Sequence, residues 1–246
     1  MQVNEIFHSI QGEGRYAGEP AFFIRLQGCP VRCEFCDTKK SWAAIQSPAM
    51  TAEEIVSAIT DMQAKYPKIQ RVVITGGEPF YAAKGHELRL LIDLLTFNCG
   101  FRVSIETSGS CQTSGEFWYF QGPIHVTFSP KYKAGEPGFL PIDFDLLRTG
   151  ICGGRFWPTD FKFLVDGTEA AEARIVYFVE NVLPKSIVEE SNHMFFLQPV
   201  DFLFVPGSGD EDYRHEQAMA NNQAVELAKR YGWQVSCQIH KYLGIA

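Results

Sequence analysis

Segments rich in β-branched and aromatic residues alternate with amphipathic segments along this chain, and that alternation restricts its possible folds more than any other feature. Strand-like segments occupy 21–28, 71–79, 101–109, 124–131, 159–167, 193–200 and 233–240. Helix-like segments occupy 51–66, 85–97, about 168–181 and 213–232. The first helix is expected to start at Thr51, which has Glu54 at capping-box spacing. Strands that alternate with helices predict βα units and a parallel sheet.

The length of the chain limits how such a sheet can close. A complete eight-stranded (β/α) barrel takes about 250 residues. This chain has 246, and it uses 131–158 and 201–212 for Gly- and Pro-rich connections. We therefore predict an α/β fold, an incomplete (partial) TIM-type (β/α) barrel with parallel strands, in a single domain over 1–246. The segment 132–158 is predicted to be an insertion or loop region.

Charge and hydropathy exclude several classes of function. The formal net charge of −7 argues against non-specific binding to nucleic acid or to an anionic membrane. No apolar run reaches the roughly 18 residues that a membrane-spanning helix needs. The first residues, MQVNEIFHSIQGEG, lack the pattern of a signal peptide. We therefore expect a cytoplasmic protein.

Three of the seven cysteines lie together in the stretch GCPVRCEFCDT, at 28–38. Cys29, Cys33 and Cys36 have the spacing C-x3-C-x2-C, which in a reducing compartment favours metal or cluster chemistry over disulfides. One interpretation is a structural zinc site with a distant fourth ligand, although zinc sites favour paired C-x2-C modules and no second pair exists here. The other is a 4Fe-4S cluster held by three thiolates, with one iron left open. The isolated cysteines are interpreted as buried or inert thiols: Cys99, Cys111, Cys152 and Cys237.

Polar, turn-forming stretches follow the predicted strands at the ends where each strand stops. They are the cysteine loop, TGGEP (75–79), ETSG (106–109), SPK (129–131), QPV (198–200) and HKY (240–242). In (β/α) barrels and open α/β sheets, the carboxyl ends of the strands carry the active site. The sequence therefore predicts a functional site at this edge of the sheet.

The cysteine loop, followed about 40 residues later by TGGEP, resembles the radical S-adenosylmethionine (SAM) superfamily. The resemblance implies that the three cysteines hold a 4Fe-4S cluster whose open iron is chelated by SAM, and that an electron cleaves SAM to a 5′-deoxyadenosyl radical. It places Phe35 near the adenine, brings the backbone of Gly76 and Gly77 close to SAM, and makes Glu78 an acceptor for the amino group. The later strand ends are implied to bind SAM through Glu106, Ser108, Ser129, Pro130, Lys131, Gln198, Pro199, Val200 and Asp201.

Two terminal signatures narrow the resemblance. FHSIQGEG (7–14) and HKYLGIA (240–246), together with CDT, SPK and QP, resemble the 7-carboxy-7-deazaguanine synthases from Glu5 to Ala246. That family implies a carbon–nitrogen lyase that converts 6-carboxy-5,6,7,8-tetrahydropterin to 7-carboxy-7-deazaguanine with loss of ammonia. The implied route is hydrogen abstraction by the deoxyadenosyl radical and ring contraction, within 7-deazapurine (queuosine) biosynthesis. The sequence leaves open whether the product feeds tRNA modification or a secondary deazapurine.

The family resemblance also implies further ligands and partners. The residues implied to bind substrate are Ile10, Gln11, Gly12, Glu13, Arg25, Thr75, His240 and Ala246, the last through its terminal carboxylate. Thr38 is implied to ligate Mg2+, which prefers oxygen ligands and keeps waters. A flavodoxin-like electron donor and a homodimer are implied in the same way.

Two other interpretations stay open on the sequence. A glycyl-radical-enzyme activase shares the cysteine loop and a GGEP-like turn, but it acts on a protein partner and needs an open face. A non-catalytic zinc or Fe–S protein is the second. The pair of terminal signatures favours a small-molecule pocket.

Overall fold

A computed structural model of the chain describes residues 1–43, 48–83, 85–111, 124–133, 138–142, 159–189, 193–201 and 210–245. Within these ranges, eight strands form one sheet in the order β1 to β8. The strands are β1 Val3–Ile10, β2 Pro20–Leu26, β3 Arg71–Gly76, β4 Arg102–Thr107, β5 Ile124–Phe128, β6 Thr159–Val165, β7 Met194–Pro199 and β8 Gln234–Val235. β1 is antiparallel to β2, and every later pair of neighbours is parallel. The predicted incomplete parallel barrel is confirmed.

Described α-helices connect β2 to β3, β3 to β4, β6 to β7 and β7 to β8, and a last one follows β8. They are α1 Ala52–Lys65, α2 Pro79–Ala82, α3 Gly85–Asp93, α4 Glu169–Tyr177, α5 Lys185–Glu189, α6 Asp210–Tyr231 and α7 Ile239–Leu243. The predicted start of α1 is confirmed, since Thr51 Oγ1 accepts from Glu54 N at 3.2 Å and Glu54 Oε2 accepts from Thr51 N at 2.8 Å. π-helical turns at Leu94–Asn98 and Phe178–Val182 extend α3 and α4. Among the described residues, no helix is both long enough and apolar enough to cross a bilayer.

The two faces of the sheet have different roles. Phe22, Ile24 and Leu26 of β2 are fully buried in the main core, which also holds side chains of α1 and α3. Successive residues of a strand point to opposite faces, and the alternate residues Ala21 and Phe23 form a separate cluster with Val73 and Phe7. The second face is the inside of the barrel, and it leads towards the polar strand ends.

Two segments differ from the sequence-based expectation. The first residues of the chain were not predicted to form a strand, yet Val3–Ile10 forms β1 at the sheet edge, where Asn4 and Glu5 are half-buried. The strand predicted over 233–240 is wrong beyond Val235, because only two residues pair with β7 and the chain then forms α7. Gly244, at φ +64°, ends that helix in a left-handed cap.

Most of the predicted insertion, 132–158, lies outside the described residues. Within its described part, Tyr132 pairs with Phe139 as an isolated bridge, and Leu140 N donates to Lys131 O at 2.7 Å. The first residues of the segment therefore fold back on the end of β5.

Candidate active site

A cavity of about 750 Å3 opens at the carboxyl ends of the parallel strands, on the inner face of the sheet. The predicted residues that line it are Ile10, Gln11, Gly12, Glu13, Arg25, Cys29, Cys33, Phe35, Cys36, Thr38, Thr75, Gly76, Gly77, Glu78, Glu106, Ser108, Ser129, Lys131, Gln198, Pro199, Val200, Asp201 and His240. Pro130 is buried beside the cavity without lining it, and Ala246 lies outside the described residues. The structure thus brings the predicted residues into one site.

The Gly-Gly turn after β3 packs directly against the start of the cysteine loop. Gly77 N donates to Leu26 O at 3.0 Å and Glu78 N donates to Gly28 O at 2.9 Å. A β-carbon on Gly76 would lie 2.4 Å from the Leu26 backbone, and one on Gly77 would lie 2.0 Å from Gly28 O. Gly76 also has φ +115°, in the left-handed region. The two glycines therefore hold the cysteine loop against the neighbouring strand end.

Gly77→Ala is expected to destabilise the fold, because the new methyl group would meet backbone rather than a movable side chain. Overpacking of this kind costs about 1–3 kcal/mol, which lowers Tm by about 3–10 °C in a domain of this size. Thermal unfolding measures the effect, with Gly138→Ala as the matched control, since nothing lies within 4 Å of a β-carbon there. Equal Tm values for the two variants would show that the turn and the loop are not locked together.

The three loop cysteines are free and half-buried, and all face the cavity. Burial raises the pKa of Cys29 and raises that of Cys33 to about 11, so both thiols must release a proton to bind metal. Arg32, between them, has φ +52°, a strained conformation for a non-glycine residue that often marks a functional loop.

The residues present fit a 4Fe-4S cluster. The three thiols lie in one loop and all line the cavity. Three thiolates can each bind one iron of such a cluster and leave the fourth iron for a ligand from outside the protein.

Glu78 is buried, with 1% of its surface exposed, and its carboxylate is fully engaged. Oε1 accepts from Thr107 Oγ1 at 2.5 Å and from Phe80 N at 3.4 Å. Oε2 accepts from the backbone N of Ser108 at 2.8 Å and from its hydroxyl at 2.5 Å. These donors occupy the acceptor positions of the carboxylate. The side chain predicted to bind the SAM amino group thus fastens the β3 turn to the end of β4.

The two terminal signatures meet inside the cavity. Ile239 N donates to Gly12 O at 3.0 Å, and a β-carbon on Gly12 would lie 1.8 Å from His240 Nδ1. Only a residue without a side chain allows the imidazole to lie this close to the backbone. The QGEG segment and α7 therefore form one wall of the cavity, as the paired signatures predicted.

Glu106, at the end of β4, connects two residues predicted to bind substrate. Its Oε1 accepts from Gln11 Nε2 at 2.9 Å, and its Oε2 accepts from Thr75 Oγ1 at 2.9 Å. The three side chains therefore form a hydrogen-bonded row across neighbouring strand ends, and their positions depend on one another.

Arg25 and Thr38 lie together on another side of the cavity. Arg25 Nε donates to Glu5 Oε1 at 2.7 Å, and its Nη1 donates to Thr38 Oγ1 at 3.3 Å. The Thr38 hydroxyl donates to Asp37 Oδ1 at 2.9 Å. The hydroxyl oxygen and the adjacent carboxylate fit a weakly held hard cation, with the remaining ligands coming from water or substrate.

Several residues of the cavity wall were not foreseen from the sequence, among them Lys162, Gln238 and Lys241. Lys162 could have been found, because a lysine between two phenylalanines in the strand TDFKFLV is unusual unless it is paired. Gln238 and Lys241 gave no such signal, since that segment was predicted to be a strand and a tail.

Comparison with known proteins agrees with this architecture. A three-cysteine loop at the carboxyl edge of an incomplete parallel barrel defines a radical SAM protein, and the profile described as the Radical SAM superfamily matches residues 23–116. The 7-carboxy-7-deazaguanine synthase of Escherichia coli strain K12 is 31% identical over 261 residues, covering 99% of this chain and 98% of that protein. The chain belongs to the 7-carboxy-7-deazaguanine synthase family.

Two further relatives show how far the similarity extends. The 7-carboxy-7-deazaguanine synthase of Synechocystis sp. is 41% identical over 145 residues, which cover 58% of this chain and 62% of that relative. The crystal structure of QueE from Escherichia coli covers 96% of this chain and 93% of its own, with a TM-score of 0.67 and 26% identity. The family resemblance therefore extends over nearly the whole fold.

Proposed function

We propose that this chain is a radical SAM lyase that converts 6-carboxy-5,6,7,8-tetrahydropterin to 7-carboxy-7-deazaguanine with loss of ammonia. The observation that carries the proposal is the meeting of the QGEG segment and α7 in the same cavity as the cysteine loop. Relatives that share the full length of the chain bear the name of this synthase. The product would serve 7-deazapurine synthesis, including queuosine in tRNA.

Cys29, Cys33 and Cys36 would hold the 4Fe-4S cluster, which supplies the electron that cleaves SAM. An apolar corner supports binding of the adenine next to the loop. Phe35 packs on Tyr132 with ring centroids 5.1 Å apart, and Leu164 and Val200 complete the same cluster. These side chains would exclude water from the side of the cavity where a reactive species must be protected.

The polar side of the cavity would bind the pterin. Its edge offers N–H donors, which need acceptors such as Glu13 and the oxygen of Gln11. The substrate carboxylate needs cations, and Arg25 and His240 both line the cavity. Burial lowers the pKa of Lys131, which also lies in the wall and donates to Ser129 Oγ at 2.8 Å. The site thus offers acceptors and cations to the two ends of one small molecule.

A product assay tests the proposal. The reconstituted, reduced enzyme is incubated with SAM and carboxytetrahydropterin, and 7-carboxy-7-deazaguanine is measured by mass spectrometry. Absence of product from enzyme that carries a full cluster and cleaves SAM would overturn it and favour the activase. A colourless protein that binds zinc and shows no absorbance near 400 nm after anaerobic reconstitution would remove the radical chemistry altogether.

Mg2+ at Thr38 is part of the proposal, supported by the hydroxyl–carboxylate pair beside Arg25. Thr38→Ala is expected to raise the Mg2+ concentration for half-maximal rate by about tenfold, a loss typical of a disturbed metal site. Mg2+ titration of the steady-state rate measures the change. Thr60→Ala on α1 is the control, because its hydroxyl bonds only within the helix among the described contacts. An unchanged titration for Thr38→Ala would remove the metal from this position.

The electron donor is proposed to be an acidic protein of the flavodoxin type. Arg32, Lys39 and Lys40 are exposed around the cysteine loop of an otherwise acidic chain, and they would attract such a partner.

A homodimer is proposed from the family resemblance. We propose that the protein functions in the cytoplasm, because reducing conditions keep the loop thiols free for the cluster.

A further inference from the structure

Glu13, the acidic residue of QGEG, is held from two sides inside the cavity. Its Oε2 forms an ion pair with Lys162 of β6, and its Oε1 accepts from Gln238 Nε2 at 2.6 Å. The side chain of Lys162 is 8% exposed and that of Glu13 is 15% exposed. A buried ammonium and a buried carboxylate each need such a partner. Both acceptor oxygens of Glu13 are therefore fixed by residues from distant parts of the chain.

A second ion pair joins the same two segments, two residues after Glu13 in one and two residues before Lys162 in the other. Arg15 Nη2 donates to Asp160 Oδ1 at 2.5 Å, and Arg15 Nε donates to Asp160 Oδ2 at 3.0 Å. The Asp160 side chain is fully buried and also contacts His125 Nε2 at 2.8 Å. The two hydrogen bonds from Arg15 give the pair a defined orientation that a single contact would not give.

The two pairs have opposite polarity. The chain segment 13–15 presents a negative and then a positive charge, whereas β6 presents the negative Asp160 and the positive Lys162 on one face of the strand. A shift of two residues between the segments would place Glu13 beside Asp160 and would cost repulsion in a buried setting. Gly14, with φ +67°, provides the left-handed turn between the two side chains. We call Glu13–Lys162 and Arg15–Asp160 the crossed ion pairs.

We propose that Lys162, Arg15 and Asp160 are positioning residues, which through the crossed ion pairs fix Glu13 as the acceptor for the donor edge of the pterin. This inference rests on the proposed function. It assigns a role to two strand residues and one loop residue that lie outside the predicted site. Lys162 forms an ion pair with Glu13, and it therefore acts on the substrate through the Glu13 carboxylate.

The charge of Glu13 supports the role. Burial alone would raise its pKa, but Lys162, together with Gln238 and His240, outweighs burial and lowers the pKa of Glu13 to about 2. The carboxylate stays ionised near neutral pH, so it offers only acceptors. A site with a fixed acceptor favours a ring edge with N–H donors and rejects an analogue whose amino group is replaced by a carbonyl. Loss of Lys162 should weaken that discrimination.

A double-mutant cycle tests the proposal with Glu13→Ala, Lys162→Met and the combined variant. Lys162→Met is expected to raise KM for carboxytetrahydropterin by about 10- to 100-fold, the factor that follows from losing a hydrogen bond to a charged group. In the Glu13→Ala background, Lys162→Met should change KM by less than about threefold, because its effect passes through Glu13. Iron and sulfide content, measured alongside KM, checks that each variant carries a full cluster.

Arg15→Met tests the second pair, and it keeps the proposal testable if Lys162→Met does not fold. It is expected to raise KM about tenfold with a smaller change in kcat, as expected for loss of a hydrogen bond to a charge. Arg230→Met, which removes an ion pair with Glu172 on the helical side of the protein, is the control and should leave KM unchanged. Thermal unfolding of each variant separates lost stability from lost positioning.

The outcomes are distinct. Wild-type enzyme that makes no deazaguanine would overturn the proposed function. If the wild type makes product but Lys162→Met, or Arg15→Met in its place, keeps KM within threefold, the crossed ion pairs do not position Glu13. If the KM increases of Glu13→Ala and Lys162→Met multiply in the combined variant, Lys162 contacts the substrate directly. That result would also overturn the positioning role.

Discussion

Cys33→Ala is expected to abolish both SAM cleavage and deazaguanine formation. Cys33 is one of three thiols that line the cavity in the loop after β2, and each would ligate a different iron. Because one iron is reserved for SAM, the protein holds the cluster through three thiolates, and loss of one of them leaves two attachments, too few to hold the cluster. Iron and sulfide content, absorbance near 400 nm and 5′-deoxyadenosine release should therefore fall together to background.

Cys99→Ala is the matched control for the loss of a thiol. Cys99 is also free and half-buried, but it packs at the edge of the apolar core after α3 and does not line the cavity. It should retain cluster content and activity, with at most a modest loss of stability. Full activity of Cys33→Ala, or equal loss in both variants, would contradict the ligand role.

Removal of the residues after Lys241 is expected to raise the substrate KM by at least about tenfold, equivalent to about 1.4 kcal/mol of lost binding. The deletion removes the end of α7 and two bonds that close it, Gly244 N to Lys241 O at 3.2 Å and Ile245 N to His240 O at 3.0 Å. Without them, the turn that presses His240 onto Gly12 frays. Cluster content and substrate-free SAM cleavage should remain near wild type, because the cysteine loop is held by β2 and β3 instead.

Tyr242→Ala is the control for that deletion. Tyr242 is 82% exposed, so its side chain adds little to the wall of the cavity. It should leave KM within about twofold, since surface substitutions usually change stability by less than about 0.5 kcal/mol. A truncated enzyme with unchanged KM would show that the tail is not part of the pocket, and one that lost its cluster would show that the tail supports the loop.

Patterns among neighbouring residues in the sequence predicted the helix start and the strands that interactions between such neighbours determine. The capping box at Thr51 and Glu54 placed the start of α1, and the apolar runs placed the strands that are buried on both faces. The polar strand ends predicted the edge that carries the cavity, because parallel strands all end on the same side. The cysteine spacing and the two terminal signatures could be assigned a function only through their resemblance to a known family.

Pairings between distant residues could not be predicted in this way. Glu13 and Lys162 are 149 residues apart, and Arg15 and Asp160 are 145 apart, so no local period connects them. The carboxylate of Glu78 is another group whose partners, distant in the sequence, could not be predicted. Its motif indicated a ligand contact and gave no sign that Thr107 and Ser108, at the end of β4, would donate to it. Tertiary geometry decides which partner a polar side chain finds.

The meeting of Glu13 and Gln238, 225 residues apart in the chain, has a consequence for the order of folding. β1 to β4 and the cysteine loop are complete by residue 107, and they can pair while the rest of the chain is still being synthesised. The wall formed by α7 must wait for the last residues and must close a very long loop, which slows its formation. Cluster insertion could therefore precede assembly of the substrate pocket during biosynthesis.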